Sequence, residues 1–423
     1  MEHAPPVTRA WVLHPDITSD RIRRDAGDAL AEAISLAGAL PGLEVQGGDA
    51  VRLPKIQPGK LFGKGKIEEL KTVFHDAEIE LVLIDGPVTP VQQRNLEKDW
   101  GVKILDRTGL ILEIFSDRAR TREGVLQVEM AALTYQRTRL VRAWTHLERQ
   151  RGGLGFVGGP GETQIEADRR AIDEQLNRLR KQLGKVEKTR ALHRASRAKV
   201  PYPVVALVGY TNAGKSTLFN RATGADVLAK DMLFATLDPT MRSVTLPSGH
   251  DIILSDTVGF ISDLPTQLVA AFRATLEEVL DADLILHVRD ISHAETEGQA
   301  RDVETILAAL GVAEEAARLE VWNKIDQLPE DDRAGMEKAV GRREDVLAIS
   351  ALNGDGMDQL FARIAELIDD PKETLVLDLA FSQGKQRAWL FAEGIVEDET
   401  QDENGFHLTV TWTQRQAAQF ERL

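Results

Sequence analysis

The sequence predicts a multidomain α/β protein, and three observations carry that expectation. Strand-length apolar runs alternate with helical patterns on both sides of a central segment. That segment holds two long helical patterns with a repeating apolar stripe. One strand beyond residue 201 runs into a glycine-rich loop and then a helix. At 423 residues the chain exceeds one ordinary domain. We expect an α/β domain over residues 1–115, a helical hairpin over 116–200, a second α/β domain over 201–372 and a small α+β domain over 373–423.

Composition narrows the class. A chain 43% hydrophobic and 28% charged suits a soluble globular protein. No run of about 18 apolar residues predicts a membrane span, and Met1–Arg9 lacks the apolar core of a signal peptide. The absence of cysteine excludes disulfides, thiolate metal sites and a cysteine nucleophile, and fits a cytoplasmic location. Net charge is −15, which argues against a nucleic-acid partner until its distribution is read. Residues 117–200 hold 19 Lys+Arg against 10 Asp+Glu, or +9, leaving −24 for the rest. A basic module on an acidic body can still bind a polyanion, although a solvated helix face explains such a run equally well.

In the first domain, Arg9–His14, Leu43–Leu53, Glu80–Ile84 and Val102–Leu105 read as strands. Asp20–Gly38, Lys66–His75 and Pro90–Trp100 read as helices, which implies parallel pairing. Gly63-Lys64-Gly65-Lys66 reads as a turn before a helix. In the central segment Leu126, Met130, Leu133, Arg137, Leu140, Trp144 and Leu147 recur at intervals of four and three. Ile172, Leu176, Leu179, Leu183 and Val186 do the same. That spacing predicts two antiparallel helices with facing stripes, joined by a glycine-rich tip from Gly152 to Gly161. The tip formally contains G-x-G-x-x-G at Gly153–Gly158, but a helix precedes it and more glycine follows, so a dinucleotide site is rejected. Arg149, Arg151, Arg169 and Arg170 flank this loop, and so slim a loop can thread into a crowded RNA site, although a flexible connection explains it equally well.

After Pro201 and Pro203, strands (Val204–Val208, Asp251–Leu254, Leu284–Val288, Leu319–Trp322, Asp345–Ile349) alternate with helices (Ser216–Thr223, Gln267–Leu280, Arg301–Leu310, Met357–Leu367), the pattern of a doubly wound sheet. Beyond Pro371, alternation at Leu375, Leu377, Leu379 and at His407, Thr409, Thr411 predicts a β-rich end.

The chemistry concentrates between residues 204 and 352. Gly209-Tyr210-Thr211-Asn212-Ala213-Gly214-Lys215-Ser216-Thr217 is G-x-x-x-x-G-K-[ST] in its required strand–loop–helix context. Glycines let successive N–H groups face phosphates, Lys215 supplies charge between the β- and γ-phosphates, and Ser216 offers a hydroxyl to Mg²⁺. Asn323-Lys324-Ile325-Asp326 selects the base. A carboxylate at Asp326 accepts from the ring N–H and exocyclic amine of guanine, a pairing adenine lacks, while Lys324 lies over the base and Asn323 ties the two loops. Ser350-Ala351-Leu352 fits a backbone contact to the guanine oxygen. Asp256-Thr257-Val258-Gly259 follows a strand, so Asp256 would hold Mg²⁺ through water and the Gly259 N–H would meet the γ-phosphate.

Thr236, within Phe234-Ala235-Thr236-Leu237-Asp238, is the candidate for the mobile threonine that completes Mg²⁺ coordination under GTP; Thr240 is the alternative. The catalytic set is therefore Lys215, Thr236 and Gly259, and the metal set Ser216 and Thr236. The arrangement predicts a P-loop, Ras-like GTPase. Phe260 stands where many GTPases carry a water-positioning glutamine, so hydrolysis should be slow alone and faster with a partner. Asn212 invites a K⁺ ion beside the phosphates, or equally a hydrogen bond within the loop.

Gly209–Thr217, Phe234-Ala235-Thr236-Leu237-Asp238-Pro239-Thr240 and Asp256-Thr257-Val258-Gly259-Phe260-Ile261 together resemble the HflX family of ribosome-associated GTPases. Asp106–Phe115, Gln127-Val128-Glu129 and Gly159–Glu166 agree, so the likeness runs from about residue 10 to the end. It departs locally at Phe156-Val157-Gly158, where the family usually has a basic residue. The resemblance implies binding to the 50S ribosomal subunit, with the glycine tip toward rRNA of the peptidyl-transferase centre. It further implies splitting of stalled or stress-arrested 70S ribosomes, a role in 50S maturation, and a monomer. Two other readings compete: an RNA-binding assembly factor whose hydrolysis only times release, and a membrane-linked signalling GTPase, for which no lipidation cysteine is present.

Overall fold

The computed structural model describes residues 7–19, 24–150, 160–197, 202–225, 233–234, 237, 239–262, 279–313, 316–368, 373–403, 405–412, 416–417 and 420. The glycine tip (save Pro160 and Gly161), the helix expected over 267–280 (save its last two residues) and Ala235, Thr236 and Asp238 lie outside them.

Four parallel strands build the N-terminal sheet in the order β2-β1-β3-β4: β1 (Thr8–Ile17), β2 (Leu43–Leu53), β3 (Leu81–Ile84) and β4 (Lys103–Asp106). Helices α1 (Ala26–Gly38), α2 (Lys64–Asp76) and α3 (Pro90–Trp100) cross between them. β3 reads Leu-Val-Leu-Ile because the centre of a parallel sheet is covered on both faces. The first helix begins later than expected, at Ala26. Asp25 stops it there by accepting from the amides of Gly27 and Asp28. α3 starts with a reciprocal Thr89–Gln92 capping box and Pro90, and stops at Gly101, whose φ is +74°.

A further helix, α4 (Arg107–Arg118), follows β4 directly and was not expected from the sequence. It leads into α5 (Arg122–Gln150), which pairs with α6 (Pro160–Arg197). Contacts from Glu129 to Gln175 and from Arg137 to Asp173 run in opposite chain directions, so the pair is antiparallel. Leu126, Leu176 and Leu179 of the stripes are buried.

The second sheet has six strands in the order β10-β9-β8-β5-β7-β6. They are β5 (Val204–Val208), β6 (Thr240–Thr245), β7 (Asp251–Asp256), β8 (Leu284–Asp290), β9 (Arg318–Asn323) and β10 (Val346–Ala348). All pair in parallel except β6, a polar edge strand antiparallel to β7. Helices α7 (Lys215–Thr223), α8 (Thr296–Leu310) and α9 (Glu330–Val340) accompany it, and α10 (Met357–Ile368) follows β10 in the chain. β5 sits between β7 and β8, so the loop leaving its carboxyl end lies where ligands bind in open α/β sheets.

Apart from this unit (residues 1–245 and 251–358), residues 246–250 and 359–423 form a second. In it β11 (Glu373–Ala380), β13 (Gly405–Trp412) and β12 (Val396–Gln401) make an antiparallel sheet in that spatial order. Helix α11 (Gly384–Ala392) buries Leu390 in a core with Leu379, Leu408, Val410 and Trp412.

Candidate nucleotide site

The phosphate loop is shaped by backbone that only glycine fits. Gly214 has φ +91°, and a Cβ there would meet Asn323 Nδ2 at 2.1 Å. Lys215 begins α7, and its ammonium folds onto the carbonyls of Gly209 (3.1 Å) and Tyr210 (2.7 Å). Burial pushes that group down to about 8, against the pull of Asp256 and with Lys324 adding to the fall. A buried ammonium over carbonyl oxygens, at the head of a helix whose amides point outward, accommodates an anion. Thr211 Oγ1 is buried there with no hydrogen-bond partner among the described residues.

The neighbouring loop lies against this one. Thr211 N donates to Phe260 O (2.7 Å) and Phe260 N donates to Gly209 O (3.1 Å), so Tyr210 and Phe260 form a parallel bridge. Thr257 Oγ1 donates to Leu207 O (2.6 Å). A Cβ on Gly259 would lie 2.9 Å from Thr211 Cα and 3.1 Å from Lys215 Nζ, so side chains are excluded there. Ser216 Oγ donates to Asp256 Oδ2 at 2.7 Å. A hydroxyl beside a carboxylate is an all-oxygen donor pair of the kind a hard cation takes. Among the described residues, no group of three His, Cys, Asp or Glu gathers as a protein-only metal site.

Opposite, Asn323 is 2% exposed and joins three segments: its Nδ2 donates to Ala213 O (2.8 Å) and its Oδ1 accepts from Ala351 N (2.9 Å). Lys324, at φ +68°, donates to Asp290 Oδ2 (2.7 Å). Asp326 Oδ1 accepts from Ser350 Oγ (2.6 Å), whose oxygen also accepts from Asn353 N (3.0 Å). The structure thus brings residues 209–217, 256–259, 323–326 and 350–352 to one end of the sheet. Phe234 and Leu237 are buried.

Sequence reasoning overlooked three supports. Asp290, at the end of β8, holds Lys324. Arg221 of α7 donates to the carbonyls of Ala351 and Leu352, bracing the base loop. The Tyr210 hydroxyl reaches Glu32 and Ser262, beyond the phosphate loop. An aspartate closing a strand just before a loop was the only one of these visible as a pattern.

Comparison with known proteins agrees with this geometry. Residues 204–324 match the "50S ribosome-binding GTPase" family model. Residues 27–116 and 118–197 match the N-terminal and middle regions of "GTP-binding GTPase", and residues 335–423 match the "HflX C-terminal domain". The GTPase HflX of Magnetococcus marinus is 50% identical over 91% of this chain and 88% of its own. That of Escherichia coli is 41% identical over 94% and 91%. Among solved structures, the complex of SsGBP with GDP covers 86% of this chain and 98% of its own at 25% identity and a TM-score of 0.49. With relatives this similar along nearly its whole length, the chain belongs to the HflX family of GTPases.

Proposed function

We propose that this GTPase binds the 50S ribosomal subunit and splits stalled or stress-arrested 70S ribosomes, with a role in 50S maturation. The observation that supports the reading is the joining of a nucleotide site to a basic helical hairpin. Residues 117–200 carry +9 on a chain of net charge −15, and α5 and α6 pair antiparallel toward the glycine-rich segment 152–161. Such a module binds a polyanion through its local field, and rRNA near the peptidyl-transferase centre is the proposed contact. Binding energy would separate the subunits, and hydrolysis would reset the cycle. We place the working parts at 1–115, 116–200, 201–372 and 373–423, in a cytoplasmic monomer.

In the proposed chemistry, residues 209–217 cradle the phosphates and Lys215 neutralises charge between the β- and γ-groups. Asp326 selects guanine, flanked by Lys324 and the loop Ser350–Leu352. Gly259 directs its N–H at the γ-phosphate. Ser216 and Thr236 would hold Mg²⁺, with Asp256 beside them, and the ion would supply charge stabilisation at the phosphates. Asn212 would hold K⁺, which would add to this. Phe260 is 1% exposed and cannot orient a water, so hydrolysis is slow until ribosomes order a missing group.

Sedimentation of 70S ribosomes with the protein and GTP, GDP or a non-hydrolysable GTP analogue tests the reading. Subunit separation under GTP and the analogue, lost on deleting 152–161, is expected. Intact 70S with mere 50S occupancy would instead favour an assembly factor. Single-turnover hydrolysis that is equally fast with and without ribosomes would defeat the stimulated mechanism.

A further inference from the structure

Two side chains hold the base loop, and they grip opposite kinds of backbone group. Asn323 accepts from the Ala351 amide (2.9 Å). Arg221 of α7 lays one edge of its guanidinium on two successive carbonyls: Nε donates to Ala351 O (2.5 Å) and Nη2 to Leu352 O. Gly354 leaves room for that group. It sits at φ +98°, and a Cβ there would lie 2.8 Å from Arg221 Nη1. The paired donors of an arginine fix orientation as well as distance, which the point charge of a lysine cannot do.

That grip decides where the loop's N–H groups point. A trans peptide sets its N–H opposite its carbonyl. Holding Ala351 O therefore turns the Leu352 N–H away from Arg221, and holding Leu352 O does the same to the Asn353 N–H. The Asn353 amide donates to Ser350 Oγ (3.0 Å), and that hydroxyl donates to Asp326 Oδ1 (2.6 Å). On the other flank the Ala351 amide goes to Asn323. Between these two, the Leu352 N–H has no hydrogen-bond partner among the described residues. It is a free donor on the side of the loop that faces Asn323 and Asp326.

Guanine suits such a donor. Beside the ring N–H and exocyclic amine proposed for Asp326, it carries an oxygen acceptor at the 6-position. Adenine carries an amine there, which would set one donor against another and leave both unpaired.

We infer that Arg221 is a positioning residue for base selection in this GTPase, which aims the Leu352 N–H at the 6-oxygen of guanine. The inference rests on the proposed pairing of Asp326 with the same base. Arg221 acts through the backbone, from the helix that also carries Lys215 at its first position, about 9 Å earlier along the axis. α7 thus links the phosphate end of the site to the base end by a route separate from Asn323.

The test compares GDP with 6-thio-GDP, which keeps the ring N–H and the amine but replaces the oxygen by sulfur, a weaker acceptor. Both dissociation constants are measured on the full chain by competition against a fluorescent guanine nucleotide. The unaltered chain should prefer GDP by about fivefold, the contribution of one hydrogen bond. Arg221→Met should bring that preference to less than about twofold. Arg221→Lys, which can reach one carbonyl at a time, should fall between. An arginine that only stabilised the fold would, on removal, weaken both nucleotides together and leave the ratio at its wild-type value. That result overturns the inference, as does a wild-type preference already below about twofold. If Arg221→Met fails to fold, Arg221→Lys decides alone: a ratio below wild type sustains the inference and an unchanged one overturns it. Failure of the unaltered chain to bind GDP at all would refute the guanine reading itself.

Discussion

Asn323 reaches the carbonyl of Ala213, 110 positions earlier in the chain, at 2.8 Å, and so ties the base-recognition loop to the phosphate loop. Its other amide atom accepts from Ala351. One small, buried side chain thus sets the spacing between the part of the pocket that would read the base and the part that would hold phosphates.

Replacing Asn323 with Ala leaves a buried carbonyl and a buried N–H without partners, each costing about 1–3 kcal/mol. We expect guanine-nucleotide affinity to fall by about tenfold or more and the melting temperature to drop. Titration with a fluorescent GDP analogue and a thermal melt check both. Unchanged affinity would mean that the loops keep their spacing without this tie.

Asp326→Asn tests base selection. The carboxylate would accept twice from guanine, whereas an amide offers one acceptor and one donor, the complement of a base with a carbonyl at the 2-position. GDP affinity should fall by roughly 100-fold or more while xanthosine diphosphate gains, because unpaired polar groups in a site built to pair them are costly. Competition binding with GDP, XDP and ADP reads this directly. Retention of guanine preference would remove Asp326 from its assigned role.

The legibility of the chain follows burial. Val204–Val208 was readable to the residue because a covered strand is continuously apolar, and Pro90–Trp100 because its Thr89-Pro90 cap punctuates the chain; Leu43–Leu53 is half polar and was bounded by its apolar ends. α4 escaped notice because Leu110, Ile111, Leu112, Ile114 and Phe115 are all buried, so its apolar residues read as a block and only Glu113, Ser116 and Asp117 mark a narrow exposed face. α9 failed for the opposite reason: it buries none of its residues and carries no stripe. The edge strand β6 is largely polar. The phosphate and base loops were visible because backbone shape and charge restrict their residue types. The cluster around Arg107 was not, since its contacts to Ser262 and between Glu32 and Tyr210 span 155 and 178 positions with no local pattern.

That cluster predicts an acid limit. Burial pushes the Glu32 carboxyl up, but Arg107, Arg24 and Tyr210 outweigh it and hold the group below its ordinary 4.5; Asp85 is likewise held down by His14 and Arg107 against burial. A depressed carboxylate contributes stability that is complete above the unfolded value and is lost as pH falls through the folded one. Stability from this source should be constant from pH 7 to 5 and decline below about 4.5. Glu32→Gln, which leaves Arg107 short of a buried partner, should cost about 3 kcal/mol at pH 7. The gap in melting temperature between wild type and variant should narrow as pH is lowered toward 4. A gap constant with pH would show that the pair is not ionised as described.

Asn212 carries the last expectation. It sits at φ +59°, exposed between the buried Thr211 and Ala213, and its amide makes no hydrogen bond to another described residue. Asparagine tolerates this left-handed backbone better than most residues, and its side-chain oxygen is left open to solvent at the crest of the phosphate loop. A monovalent cation held there would place positive charge next to the phosphates, where transition-state charge develops. Hydrolysis in K⁺ should then exceed that in Na⁺ by about tenfold, because the smaller ion fits an oxygen cage of different radius. Asn212→Ser should erase most of the difference while leaving GDP affinity within about threefold, since its shorter hydroxyl reaches less far. Equal rates in the two salts would return Asn212 to a role in loop geometry alone.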